Sequence, residues 1–317
     1  MGSAAIGNRQ FETAQQLLWQ CVMSEGRQPQ DVVNLSLTYR ALKNYDDGRR
    51  SVDAALKQTQ ANEDLHYVSA YLFFRTQQYQ LSIQELRTAY LMKQNDWRIH
   101  QLFALNFTEE KAYGNAEQEF IRAIRLNREN AELYYQLARL YYTQQRFREA
   151  IDACNHAIRL APDYVEAYDN LGLAYHAIGD IPHAIASFSR AINLTTKAGT
   201  VDAWPYINYA VMLEEHSPGS AIPLLKQAIA MDSQNVEANY QLGRSLRQAG
   251  RLTEAQVYFE KAIVIDPDFK AAYYALATLL RKENPEKSAD LFRKFQALRD
   301  QNSAHDQTGA SVHAVAP

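Results

Sequence analysis

"VEAYDNLGLAYHAIGDIPHAIASFSRAINL", residues 165–194, sets three small residues, Gly172, Ala184 and Ala191, among the large apolar residues Tyr168, Leu171, Tyr175 and Phe188. Tyr168, Leu171, Gly172 and Tyr175 stand at i, i+3, i+4 and i+7, and Ala184, Phe188 and Ala191 at i, i+4 and i+7. Each set lies on one face of a helix. Gly179-Asp180 between them is a turn signal. The stretch reads as two antiparallel helices in a hairpin, closest where the side chains are smallest. Gly172 and Ala184 mark that crossing, and Ala191 leaves room for the next hairpin to dock.

The pattern recurs along the chain. Steps of 34 back from Gly172 fall on Ala138, Ala104, Ala70 and Ser36. Forward steps, with one insertion and one shortened turn, fall on Ala210, Gly243 and Ala277. The series through Ala184 runs Ala14, Gly48, Ser82, Ala116, Ala150, then Ala221, Ala255 and Ala289. The series through Ala191 runs Cys21, Ala55, Ala89, Ala123, Ala157, then Ala228 and Ala262. Proline stops the second helix in "LAPDY" (160–164) and "IDPDF" (265–269), because it cannot donate to the helical ladder.

A period of 34 with large apolar residues at repeat positions 4, 7, 11 and 24, small ones at 8, 20 and 27 and proline at 32 resembles the tetratricopeptide repeat. The resemblance covers residues 9 to about 298. It implies an all-α solenoid of stacked antiparallel helix hairpins, wound as a right-handed superhelix. It also implies a chain that holds other proteins or peptides and performs no catalysis.

Full repeats read as 29–62, 63–96, 97–130, 131–164, 165–198, 203–235, 236–269 and 270–300. Before them, 1–28 is a partial repeat in which Phe11, Ala14, Leu18 and Cys21 form a lone second helix. Solenoid ends need a partner or a polar cap, so the missing first helix predicts either an array that extends further upstream or one that begins on a lone helix. The insertion Gly199 to Asp202 is expected to disturb stacking between the fifth and sixth hairpins. The sixth turn, at "EEHSPGS", is one residue short, with Pro223 expected in the first turn of the helix that follows. The tail 301–317 is small, polar and aperiodic, and is expected to be disordered.

The 317 residues carry a net charge of -3, with 47% apolar and 22% charged residues. That balance lacks the basic field of a nucleic-acid binder. An RNA-reading array would also want a basic groove, and Asp169, Glu214 and Glu215 fall in this one. No apolar run approaches the ~20 residues that span a membrane, and the N-terminal residues do not read as a signal peptide. Nothing here assigns a compartment. Cys21 and Cys154 are too few for a disulfide framework. No phosphate-binding loop, zinc-protease, hydrolase or dinucleotide motif appears. His66 and His100 share position 4 of adjacent repeats, with no metal-ligating partners evident. No catalytic residue, cofactor or metal is expected.

The resemblance further implies that positions 2, 5, 6, 9, 12 and 13 of the first helices line a concave groove. Position 6 holds Asn34, Val68, Leu102, Gln136, Asn170, Asn208, Gln241 and Ala275. Amides there either pair with a peptide backbone or are simply the usual residue at that place in the family. Tyr67, Tyr71 and Phe74, followed by Leu102 and Leu105, form either an exposed contact site or rings buried between neighbouring first helices. Tyr240, Arg244, Arg247, Tyr274, Arg281 and Lys282 put cations beside rings, with a smaller centre at Tyr135, Arg139 and Tyr142. Such sets suit an acidic segment, or else form a solvated charged face. Position 5 never offers the lysine that a clamp for chaperone C-termini uses. The expected partner is an extended protein segment with an aromatic or aliphatic anchor and acidic residues. Arg244→Glu with Arg247→Glu is expected to weaken it and barely move the melting curve. The rival reading is a substrate-presenting arm cut from a larger enzyme.

Overall fold

A computed structural model describes residues 45, 52, 63–214 and 218–307. The partial repeat at 1–28, nearly all of the first repeat with Asn34, the sixth turn at 215–217 and the tail from 308 lie outside the described residues. The described residues are helical and contain no strand. They fall into two compact units, Met1–Leu160 and Ala161–Pro317.

The first unit holds three hairpins: α1 (Glu63–Arg75) with α2 (Tyr79–Met92), α3 (Trp97–Glu109) with α4 (Tyr113–Leu126), and α5 (Ala131–Thr143) with α6 (Phe147–Leu160). The second holds four: α7 (Val165–Ala177) with α8 (Ile181–Ala198), α9 (Trp204–Glu214) with α10 (Pro218–Met231), α11 (Val236–Gln248) with α12 (Leu252–Ile265), and α13 (Lys270–Leu280) with α14 (Pro285–Gln307). Within each unit the second helix of one hairpin packs on the first helix of the next. First helices also touch one another, α1 with α3, α7 with α9 and α9 with α11.

The crossings sit where the small residues are. Ala70, Ala104, Ala116, Ala184, Ala210, Ala221, Ala255 and Ala277 are fully buried. At the two glycine crossings a ring takes the space. A Cβ on Gly172 would lie 2.7 Å from the Phe188 ring, and one on Gly243 would lie 2.6 Å from the Phe259 ring. Phe188 and Phe259 belong to the second helices of the same hairpins. At two crossings a hydroxyl replaces the methyl: Ser82 Oγ donates to the Ala70 carbonyl and Ser288 Oγ to the Ala277 carbonyl, each at 2.7 Å. Ser288 is therefore the small residue of the last hairpin. Ala289, assigned that place from the spacing, is exposed, because this turn is one residue shorter than the period.

The turn inside each regular hairpin reverses through one left-handed residue at repeat position 15. It is Gln77, Lys111 and Gln145 in the first unit, and Gly179 and Gly250 in the second, with φ between 59° and 80°. The residue after it returns its N–H to a carbonyl five residues back, as in Gln78 to Phe73 and Asp180 to Tyr175, closing the helix end. The insertion is absorbed partly by helix: α8 has 18 residues where α10 and α12 have 14, and it ends at left-handed Gly199. Pro223 lies inside α10 beyond its first turn, since that helix starts at Pro218. The last helix runs to Gln307, seven residues into the stretch expected to be disordered. No helix among the described residues is long and apolar enough to cross a membrane.

Candidate functional site

The first helices carry the candidate residues, and inside each unit they meet along one face. In the first unit, the second-repeat aromatics are largely spent on packing. Tyr67, Tyr71 and Phe74 are half-buried against a core of Ile83, Leu86, Ile99, Leu102 and Phe103. Leu102 is fully inside, so this part of the face is filled and is not an open apolar patch. Arg98 then crosses from α3 to α1. Its Nη2 bonds Asp64 at 3.2 Å and Asp96 at 2.5 Å, and its guanidinium lies 5.3 Å from the Tyr67 ring centre. Burial pushes the Tyr67 phenol up to about 12. Burial also raises Asp64, whereas for Asp96 the Arg98 hydrogen bonds outweigh burial and hold it low.

One repeat further on, Gln101 donates to Gln136 Oε1 at 3.0 Å and Gln136 donates to Glu132 at 2.6 Å. Arg139 lies 5.9 Å from the Tyr135 ring centre. Tyr135 is only 6% exposed, so it supports this surface from below and does not project from it.

The second unit repeats the arrangement. Gln241 donates to Glu237 at 2.6 Å, and Arg244 lies 5.9 Å from the Tyr240 ring centre. Glu132, Tyr135, Gln136 and Arg139 in α5 thus recur with identical spacing as Glu237, Tyr240, Gln241 and Arg244 in α11. The copies differ in their surroundings. Arg244 donates to Gln241 Oε1 at 2.9 Å and pairs with buried Glu214 at 3.2 Å, while Ser245 holds the other Glu214 oxygen at 3.0 Å. At Glu214's repeat position the third repeat has Thr108. Gln241 is 7% exposed, so it is nearly enclosed. Arg244 is therefore a neutralised structural cation, and its replacement by glutamate is not neutral for stability.

The amides at position 6 are likewise engaged. Asn170 donates to the Glu166 carbonyl at 3.1 Å and Asn208 to Asp169 at 2.7 Å. Asp169 is 7% exposed, and burial pushes its carboxyl up to about 7, against the pull of Asn208. Tyr274 is 52% exposed, with its ring against Phe292 and Phe295 of α14. Arg247 is half-buried and Arg281 and Lys282 are exposed, and none has an ion-pair partner among the described residues.

Both histidines at position 4 have carboxylate partners that the sequence reading missed. His66 meets Glu85 and His100 meets Glu119, each at 2.6 Å and each 19 residues on. The signal was present as two His–Glu pairs of equal spacing in consecutive repeats. Each pair ties the two helices of one hairpin, and no cluster of metal-ligating side chains occurs among the described residues. Cys154 is fully buried in α6.

Family models described as tetratricopeptide repeat match the sequence at residues 33–97, 129–197 and 212–280. No curated protein matches it. Among solved structures, a tetratricopeptide repeat protein from Parabacteroides merdae is 15% identical with a TM-score of 0.61, over 80% of this chain and 98% of that one. Yeast Tom70 is 18% identical with a TM-score of 0.59, over 93% of this chain and 60% of that one. YrrB, a repeat protein described as having an unusual peptide-binding site, is 24% identical with a TM-score of 0.43, over 60% of this chain and 97% of that one. At these identities the likeness is one of fold.

Proposed function

Because the chain belongs to the tetratricopeptide-repeat family, we propose that it is a non-catalytic scaffold whose first-helix face holds an extended segment of a partner protein. One observation carries this reading. The constellation of Glu, Tyr, Gln and Arg on α5 is repeated on α11, with ring, amide and guanidinium on the same helical face. Rings with guanidinium groups beside them are favoured contacts at interfaces.

The part of the second unit best suited to an acidic group on the partner is Arg247 with Arg281 and Lys282. Their donors are unspent among the described residues, and Tyr274 offers an exposed ring on the same repeat as Arg281. Arg244 supports that surface through Glu214 and Gln241. The test is selection of peptides from a displayed random library on the full chain, followed by titration of the selected peptide. Arg247→Glu with Arg281→Glu should weaken binding at least tenfold, about 1.4 kcal/mol, with an unchanged melting curve. Equal affinity of both proteins for the peptide would refute the assignment.

A further inference from the structure

Asp169 is an acid enclosed without a counter-charge. It sits where hairpin α7–α8 meets hairpin α9–α10. Its Oδ2 accepts from Asn208 of α9, and its buried Oδ1 has no hydrogen-bond partner. The charged groups that act on it are Glu166 on its own helix and Asp202 on the α8–α9 connection; both repel a negative charge there. From α9 the only group acting on it is the Asn208 amide, and α8 supplies none.

The joint around it is the irregular one of this unit. Elsewhere in the unit four residues link successive hairpins, as at 232–235 and 266–269. Here α8 overruns to Ala198, Gly199 turns left-handed, residues 199–201 are exposed, and Asp202 caps the Trp204 N–H at 3.0 Å. The joint is also held by Phe188 stacked on Tyr209, by Met212 packed in one core with Ala184 and Phe188, and by Thr196 bonded to the Tyr206 hydroxyl at 3.0 Å.

We propose that Asp169 makes this joint proton-dependent: the neutral carboxyl lets α7 and α9 stay closed over the Asn208 bond, and the ionised one drives them apart to gain water. An ionised carboxylate facing two others and no cation is compensated by a single amide donor, which does not replace its lost hydration. Its folded affinity for the proton lies above that of the unfolded chain. The closed joint is therefore most stable below the ordinary aspartate range, weakens as pH rises, and levels off above about pH 7. Asp169 and Asn208 occupy positions 5 and 6 of adjacent first helices, so opening alters the binding face itself.

Hydrogen exchange on the full chain, read at peptides spanning 199–210 and corrected for the intrinsic pH dependence of exchange, tests this. Between about pH 5 and about pH 8, protection of these amides should fall roughly tenfold in the wild type. Asp169→Asn, which keeps an acceptor for Asn208, should abolish the change. Asp202→Asn, which keeps the cap on Trp204, should leave the transition in place and move its midpoint to lower pH. A pH dependence in Asp169→Asn equal to the wild type's would overturn the proposal. So would an unmoved midpoint in Asp202→Asn, a result that stands even if Asp169→Asn does not fold.

Discussion

In the third repeat Ala104 keeps its methyl and shares a core with Phe120; in the fifth and seventh, Phe188 and Phe259 lie where that methyl would be, over bare Gly172 and Gly243. A second contrast concerns charge. The first unit crosses its repeats with arginines on acids: Arg98 joins buried Asp64 and buried Asp96, and Arg146 pairs with half-buried Glu117, with the Tyr141 hydroxyl on the same carboxylate. The second unit encloses its acids to the same depth but leaves one without a cation: Asp169 has the Asn208 amide alone, while Glu214 keeps Arg244 and Ser245. One backbone plan is thus closed by two sets of interactions. The first gives its buried acids a cation, and the second leaves Asp169 enclosed with an amide alone.

The largest expected effect follows from the enclosed acid. Arg244→Glu leaves Glu214 facing a second carboxylate and should cost about 3–5 kcal/mol. Arg139→Glu, its counterpart in a repeat whose upstream neighbour has Thr108 where Glu214 stands, sets no second carboxylate against that position and should cost less. Urea unfolding of both variants measures the gap, and equal losses would erase the distinction between the units. Next come the glycine crossings. Gly172→Ala and Gly243→Ala push a methyl into a ring and should each cost about 1–3 kcal/mol. Ala104→Gly in the first unit should cost the helix-propensity difference, about 1 kcal/mol, plus the loss of a buried methyl against Phe120.

The third effect depends on pH. Arg98 holds Asp96 below its ordinary value despite burial, so the stability it contributes is present above the unfolded aspartate range and is lost as pH falls through its lowered folded value. Asp96→Asn should therefore destabilise by about 1–2 kcal/mol at neutral pH and by nothing measurable in acid. Asp169 has the opposite sign, and thermal melts of the two variants across pH should diverge in opposite directions. The smallest effect is at the turns. Gln77→Gly, Lys111→Gly and Gln145→Gly remove a side chain from left-handed backbone and should stabilise by about 0.5–1 kcal/mol each; Gly179→Ala and Gly250→Ala should destabilise by a similar amount.

Hairpin architecture was legible because close packing forces small side chains into fixed register, and register survives in the sequence as a period. It failed at Ala289 because the last turn is shortened without a glycine to mark it. It misplaced Pro223 because Pro218-Gly219, which looks like a turn, starts the helix. The proposed binding face was legible only as a direction. Repeat position says which way Tyr135 and Gln241 point, and says nothing of how deeply the neighbouring helix covers them. Arg244 looked available because its partner, Glu214, belongs to another hairpin 30 residues upstream, beyond any helical spacing. The Tyr67 and Tyr71 rings stayed open between exposed patch and buried packing, because the side chains of α2 and α3 that cover them come from another helix of the same hairpin and from the next repeat.

Residues at the crossings stand 11 or 12 positions apart in the chain, and each hairpin packs chiefly on its immediate neighbours. Few contacts wait on distant loop closure, so hairpins can form early and add one at a time. The same locality sets the order of failure. Under mechanical pull or mild denaturant such an array opens at a seam between hairpins before the hairpins themselves come apart.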